Sequence, residues 1–206
     1  STMRAIPVIL LIGAAAVVGP AAAGEPGEAG MLSLRLGVGA REAAMGGAGV
    51  ASTDGAAAAY WNPALATFAA PGTSLMLQHH RWFDLFDHNA AALTHRSSAG
   101  VIGVTFLGLY ADEIARYGTE PVGVPQGTFE PHDVALGASY SRALTEQFAV
   151  GAQVKFLYEK IDIYSDSGLA FDVFVAHRSR VVPGLSLGAS ATNLGGKMTL
   201  NEEPFD

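Results

Sequence analysis

Along residues 148–159, side chains alternate between two kinds without a break. Phe148, Val150, Ala152, Val154, Phe156 and Tyr158 fall on one face, and Ala149, Gly151, Gln153, Lys155, Leu157 and Glu159 on the other. Successive side chains of a strand point to opposite faces, so a period of two over this length specifies a strand and argues against a helix. Residues 133–141 repeat the pattern, with Val134, Leu136, Ala138 and Tyr140 opposite Asp133, Ala135, Gly137, Ser139 and Ser141. Leu169, Phe171, Val173 and Val175 extend it, as do Leu185, Leu187, Ala189 and Ala191; Ala170, Asp172, Ser186, Gly188, Ser190 and Thr192 lie on the opposing faces. Globular strands usually run ~5–6 residues, whereas a tilted membrane strand needs ~9–11. The expected fold class is all-β, a transmembrane antiparallel β-barrel. A soluble β-sandwich also alternates and is the competing architecture.

Earlier strand candidates, residues 74–80, 89–96 and 101–110, are less regular. The last has no clean polar face, as expected where small residues on one side pack against a plug. Residues 81–88 (RWFDLFDH) read as an aromatic-rich turn, and residues 118–129 as a loop rich in glycine and proline. The total is seven or eight strands in one unit, without an internal repeat beyond the hairpins.

Composition supports the barrel over a helical membrane protein. Half of the residues are apolar and only 15% are charged, yet past the N-terminus no apolar run is long enough to span as a helix. Alternating barrel strands produce that combination, because hydropathy averages out along each one. The N-terminus itself has the three parts of a cleaved secretory signal peptide. Arg4 follows Met3 (preceded by Ser1 and Thr2), residues 5–18 are apolar, and Ala21, Ala22 and Ala23 form a small-residue site before Gly24. The apolar run falls short of the ~20 residues a spanning helix needs. With no cysteine in the chain, a lipoprotein anchor, disulfides and thiolate metal sites are excluded. Lys and Arg number 12 against 19 Asp and Glu, and loss of Arg4 with the leader takes the net charge from −7 to −8. Nucleic acid is therefore not an expected partner, since phosphate recognition needs clustered positive charge.

Residues 36–67 are of another kind, nearly all glycine and alanine, closing on Tyr60, Trp61, Asn62, Pro63 and Ala64. Gly37, Gly39, Gly46, Gly47, Gly49 and Gly55 allow close backbone approach and positive φ. Asp54-Gly55 reads as a tight turn. Residues 56–59, all alanine, favour a short helix that Pro63 would end. The stretch has too little side-chain volume for a core of its own and should pack inside something larger. The expected division is a leader over residues 1–23, a plug over 24–70 and barrel strands over 71–206.

That stretch also carries a family resemblance. The residues Gly37, Gly39, Ala40, Arg41, Met45, Gly46, Gly47, Ala48, Val50, Ala51, Asp54, Ala58, Ala59, Tyr60, Trp61, Asn62, Pro63 and Ala64 resemble the PorV/PorQ family of outer-membrane proteins, related to the FadL-type fatty-acid transporters. A weaker match is Asn193, Leu194, Gly195, Gly196, Lys197 and Met198. The resemblance is dense over residues 37–64 and diffuse elsewhere. It implies a FadL-like barrel in a Gram-negative-type outer membrane, with the N-terminal stretch folded into the lumen as a plug. Such a barrel has about fourteen strands and must close to satisfy its edges in lipid. The chain is accordingly expected to cover the N-terminal part of a barrel, with a complete eight-stranded barrel as the other reading.

Several patterns suggest chemistry that their context does not support. Gly184, Ser186 and Gly188 match the spacing of a nucleophile elbow, but alternation runs straight through them where a strand-turn-helix is required. Gly37 and Gly39 lack the third glycine of a dinucleotide loop, and no lysine follows a glycine cluster at phosphate-loop spacing. Of the six histidines, His79 and His80 are adjacent and His88 and His95 are an odd number apart, so each pair splits across a strand; loop or interface roles are expected for them. Asp162, Asp166 and Gly168 are read as a solvated hairpin loop in preference to a calcium site, and Glu202-Glu203 as a solvated turn. No catalytic residue, cofactor or metal is expected. Gly46, Gly47, Asp54, Tyr60, Trp61, Asn62 and Pro63 are the candidate plug motif, as an anchor to the wall or as a gate.

Three functions follow as expectations. The first is a non-enzymatic outer-membrane protein of PorV/PorQ type, whose partners by resemblance are membrane lipid, secreted cargo proteins and subunits of the type IX secretion system. The second is a FadL-like transporter of long-chain fatty acids or other hydrophobic small molecules. The third is a soluble periplasmic β-sandwich that binds a partner.

Overall fold

A computed structural model of the chain describes residues 31–118, 123–196 and 198. The leader, Lys197 and the Glu202-Glu203 turn lie outside the described residues.

The alternating segments form one antiparallel sheet. It contains β1 (Gly72–Trp82), β2 (Phe86–Ser97), β3 (Gly100–Ala111), β6 (His132–Ala143), β7 (Phe148–Ile161), β8 (Tyr164–Arg178) and β9 (Ser186–Gly195), side by side in that order. A separate hairpin, β4 (Ile114–Arg116) with β5 (Gly127–Phe129), is inserted between β3 and β6. The sheet is open, with β1 and β9 as its edges. Every neighbouring pair in it is a hairpin neighbour in sequence or separated only by the β4–β5 insertion. Among the described residues no helix is long and apolar enough to cross a membrane, a finding that does not bear on strands.

Two expectations need correction. The strands do not stop before the aromatic cluster at 81–88, because pairing continues through Arg81 with Asp87 to Trp82 with Phe86. The Arg81 guanidinium reaches the Asp87 carboxylate at 3.1 Å, and such cross-strand pairs favour strand over turn. Only residues 83–85 remain as a turn, with Phe83 and Asp84 at φ 53° and 52°. The stretch 118–129 is likewise not all loop, since Gly127–Phe129 pairs with β4; residues 119–122 lie outside the described residues. These two short strands raise the strand count to nine among the described residues.

Register puts the small and polar residues in lateral rows on one face. Ala90, Leu107, Ala135 and Leu157 are successive cross-strand partners, and the N-terminal residues Met31 and Val38 pack on them. Ala56 and Ala59 pack on Ala92, Ala58 and Ala66 on Val101, and Ala64 and Leu65 on Ala149, Phe174 and Ala176. The core is thus a layer rich in alanine, with a few larger side chains such as Leu107, Leu157 and Phe174, between the N-terminal segment and one face of the sheet. Close approach demands those sizes. A Cβ on Gly188 would lie 2.1 Å from the Val50 carbonyl oxygen.

The other face is its inverse. Leu75, Leu93, Val104, Ala138, Val154, Phe171 and Leu194 form one row, each the register partner of the next across all seven strands. All seven are exposed, the six larger side chains from 36% at Leu93 to 65% at Leu75. A parallel row contains Phe106, Leu136, Phe156 and Leu169. Among the described residues the only other sheet is β4–β5, so no second sheet covers this face.

Candidate functional site

The glycine- and alanine-rich segment is held by three consecutive side chains. Residues 55–57 form a 3-10 turn that continues into a single helical turn, α2 (Ala58–Trp61), preceded by α1 (Ala40–Ala44). The alanines tolerate this conformation, and the residue before Pro63 leaves it: Asn62 is extended, at φ −166° and ψ 91°. Pro63 also opens a second 3-10 segment, Pro63–Phe68, as the first residue of a helical turn suits proline. That role went unread in the sequence, where Pro63 served only as a stop.

The Tyr60 hydroxyl shares its one proton between the Leu34 and Leu36 carbonyls, at 3.2 and 3.1 Å. The Trp61 indole N–H donates to the Val38 carbonyl at 2.7 Å. Residues 34–38 belong to no sheet, and these bonds satisfy alternate carbonyls that would otherwise be orphaned. Asn62 is fully buried. Its amide donates to the Val50 carbonyl at 2.8 Å and to the Val175 carbonyl of β8 at 3.0 Å. Its side-chain oxygen accepts from the Ala64 N–H at 3.1 Å, capping the second 3-10 segment. Asn62 therefore ties two parts of the N-terminal segment to the sheet at one point.

Trp61 explains part of the glycine pattern. A Cβ on Gly49 would lie 2.4 Å from the indole ring, and one on Gly47 3.5 Å from it. Gly46 and Gly47 also carry the reversal after α1, at φ +68° and +83°. Asp54 is the member of the expected motif that the structure does not bring to the others. It is exposed, and it precedes the 3-10 turn without a capping hydrogen bond. The turn itself falls at residues 50–52, before Asp54-Gly55.

Beneath this clip lies a cavity of about 210 Å³, between Tyr60 and Trp61 on one side and strands β3 and β6–β9 on the other. Its polar wall is a connected set of side chains. The Lys155 ammonium pairs with the Asp172 carboxylate at 2.9 Å, both largely buried, and also donates to the Asn193 side-chain oxygen. The Asn193 backbone N–H donates to Asp172 at 2.7 Å. Gln153 donates to the Thr105 hydroxyl at 3.1 Å. Tyr60 borders the cavity, and burial, with a smaller contribution from the Asp172 charge, pushes its phenol up to about 12.

The sequence missed this set. Parity assigns Gln153, Lys155 and Asp172 to one face, but only register shows that they converge. Asn193 enters through an irregularity: pairing between β8 and β9 shifts across Phe171 and Val173, and Asn193 adopts φ 60°. No alternation rule foretells such a bulge.

The remaining candidates are dispersed. Ser186 opens β9, and the chain continues as strand, not helix. Asp162 pairs with Arg116. All six histidines lie within strands, which corrects the loop reading; His88 is buried and His95 exposed, on opposite faces of β2. Among the described residues no group of three or more His, Asp or Glu side chains could hold a metal ion. Comparison with known proteins finds no protein-family model and no curated protein that the chain matches.

Proposed function

We propose that this chain is a non-enzymatic outer-membrane β-barrel protein of PorV/PorQ type, with residues 24–70 as its plug, serving protein secretion and cargo handling. The observation that carries the membrane half is the exposed apolar row running from Leu75 to Leu194 across all seven strands, backed by a plug-side face of small and polar residues. Water-soluble sheets bury the first kind and expose the second; a lipid-embedded barrel with a filled lumen does the opposite. Aromatic placement supports the same reading. On the outer side His132 stacks with Tyr110 and contacts Tyr158 at one end of β6. Tyr140, eight residues along, is exposed at the other. At ~3.4 Å per residue and a tilt of ~40°, the two levels stand about 20 Å apart, near the ~25 Å apolar band between aromatic girdles of such barrels. The secretion half rests on the resemblance over residues 37–64.

A FadL-like transport role fits less well, because the cavity under the plug is lined in part by polar side chains, Thr105, Gln153, Lys155, Asp172, Ser190 and Thr192, whose remaining hydrogen-bonding capacity a hydrocarbon chain cannot meet. The test is fractionation of the full-length gene product with gel mobility read before and after boiling. A boiling-dependent shift in the outer-membrane fraction is the expected outcome; a soluble protein without a shift overturns the barrel. The secretion role is tested by deleting the gene and assaying surface display of secreted proteins, which transport alone would leave intact.

A further inference from the structure

The cavity under the Tyr60–Trp61–Asn62 clip has chemistry that the secretion reading does not use. We propose that it binds a neutral, polyhydroxylated solute of about hexose size, such as a monosaccharide or cyclitol. This inference goes beyond the function proposed above and does not rest on it, since the walls are the N-terminal segment and the sheet whatever surrounds the outer face.

Size is the first argument. The volume of about 210 Å³ is many times the ~10–15 Å³ that a single water needs on the same measure, room for a six-carbon polyol. Charge is the second. Lys155 and Asp172 are the charged residues lining the cavity, and they cancel across 2.9 Å. An added anion would face Asp172 and an added cation Lys155, so neither is favoured over a neutral guest.

Hydrogen-bonding capacity is the third. An ammonium has three donors, and Lys155 commits two of them, to Asp172 and Asn193. A primary amide has two donors and a carbonyl, and Gln153 commits one N–H, to Thr105. A donor and acceptor set of mixed sign suits hydroxyl groups, which both give and accept. Trp61 contributes aromatic surface for the C–H side of such a ring.

The bulge is the fourth argument. Asn193 holds a left-handed backbone at φ 60°, which asparagine adopts more readily than most residues with a side chain. What it achieves is to bring the Asn193 side chain to Lys155 while its N–H caps Asp172. Bulges re-aim side chains in this way. The same three groups argue against an alkyl chain, which would leave their remaining capacity unmet.

The test uses the mature protein, with Trp82→Phe leaving Trp61 as the one tryptophan within residues 1–206. Glucose and myo-inositol are titrated, alongside glucuronate, glucosamine and laurate, and binding is read by Trp61 emission and by calorimetry on the same samples. The expected result is saturable binding of a neutral polyol with Kd near ~1 mM, in line with the efficiency of ligands this small. Charged sugars should bind at least about tenfold more weakly, as one misplaced charge contact predicts. Ser190→Leu, on exposed β9, narrows the cavity that Ser190 lines and should abolish the signal while the far-UV circular dichroism spectrum stays unchanged. Linear, non-saturating responses in both readouts, equal affinity for the charged sugars, or saturation by laurate alone would each overturn the proposal. None of these outcomes bears on the membrane reading, which gel mobility and fractionation judge separately.

Discussion

On β6, Ala135, Gly137, Ser139 and Ser141 lie buried beneath the N-terminal segment, while Val134, Leu136, Ala138 and Tyr140 of the same strand face outward, three of them exposed and Val134 half-buried. The smaller, more polar set is the hidden one. Size explains the inner face: a backbone segment threading across a sheet needs short side chains beneath it, and its own carbonyls and amides need polar partners. The outer face has no such segment and carries residues chosen for bulk and apolarity. Burial here follows which face the N-terminal segment occupies and not the hydrophobicity of the residue.

The largest expected effect comes from the point where the two layers are tied. Asn62→Ala removes both donations and the cap, leaving the Val50 carbonyl and the Ala64 N–H without these partners in a buried site and cutting the link to the Val175 carbonyl of β8. A loss of about 3–5 kcal/mol is expected at ~1–3 for each such group, with incomplete additivity. Thermal loss of the fast-migrating unboiled gel band measures it, and a change below ~1 kcal/mol would show that the clip does not hold the segment.

Leu136→Arg probes the opposite face and separates the media. In lipid an arginine on the outer face costs about 2–4 kcal/mol near the bilayer midplane. In water a substitution at so exposed a position falls within about ±0.5 kcal/mol. Urea titration of the reconstituted or soluble protein distinguishes these directly.

Gly49→Ala sharpens the argument from close approach. Its Cβ would lie 2.4 Å from a Trp61 ring that is itself bonded to Val38, so overpacking of about 1–3 kcal/mol is expected. Gly46→Ala meets nothing within 4 Å. It should cost only about 1 kcal/mol, for its positive φ. Equal losses at the two glycines would refute the role given to Trp61.

Tyr60→Phe is the smallest change at neutral pH, about 1 kcal/mol for one shared hydrogen bond. Its pH dependence is more telling. The phenol is held above its unfolded value near ~10, up to about 12, so between these values the native state binds more protons than the unfolded one. The stability from the neutral phenol is fully present below pH ~10 and is lost as pH rises toward ~12. From an advantage of about 1 kcal/mol, the wild-type curve should therefore meet that of Tyr60→Phe within about one pH unit above ~10 and fall below it toward ~12, at ~1.4 kcal/mol per pH unit; parallel curves would contradict the burial of the hydroxyl.

Much of this was legible in the sequence, for definite reasons. Alternation in residues 133–141 and 148–159 fixed strands, faces and antiparallel hairpins, because a side-chain period of two has one structural meaning. The poverty of side chains in residues 36–67 required a host for that segment, because glycine and alanine cannot bury enough area to stand alone. The end of α2 before Asn62-Pro63 followed from proline sterics. What only the tertiary structure decided was which distant groups meet. Asn62 reaches Val175, and Lys155, Asp172 and Asn193 join across three strands, through a register that no local pattern encodes and a bulge that shifts it. Asp54, adjacent in sequence to the clip, stays out of it for the same reason. Local composition limits the conformation of each segment, but partners far apart in the chain are chosen by the packing of one layer on another.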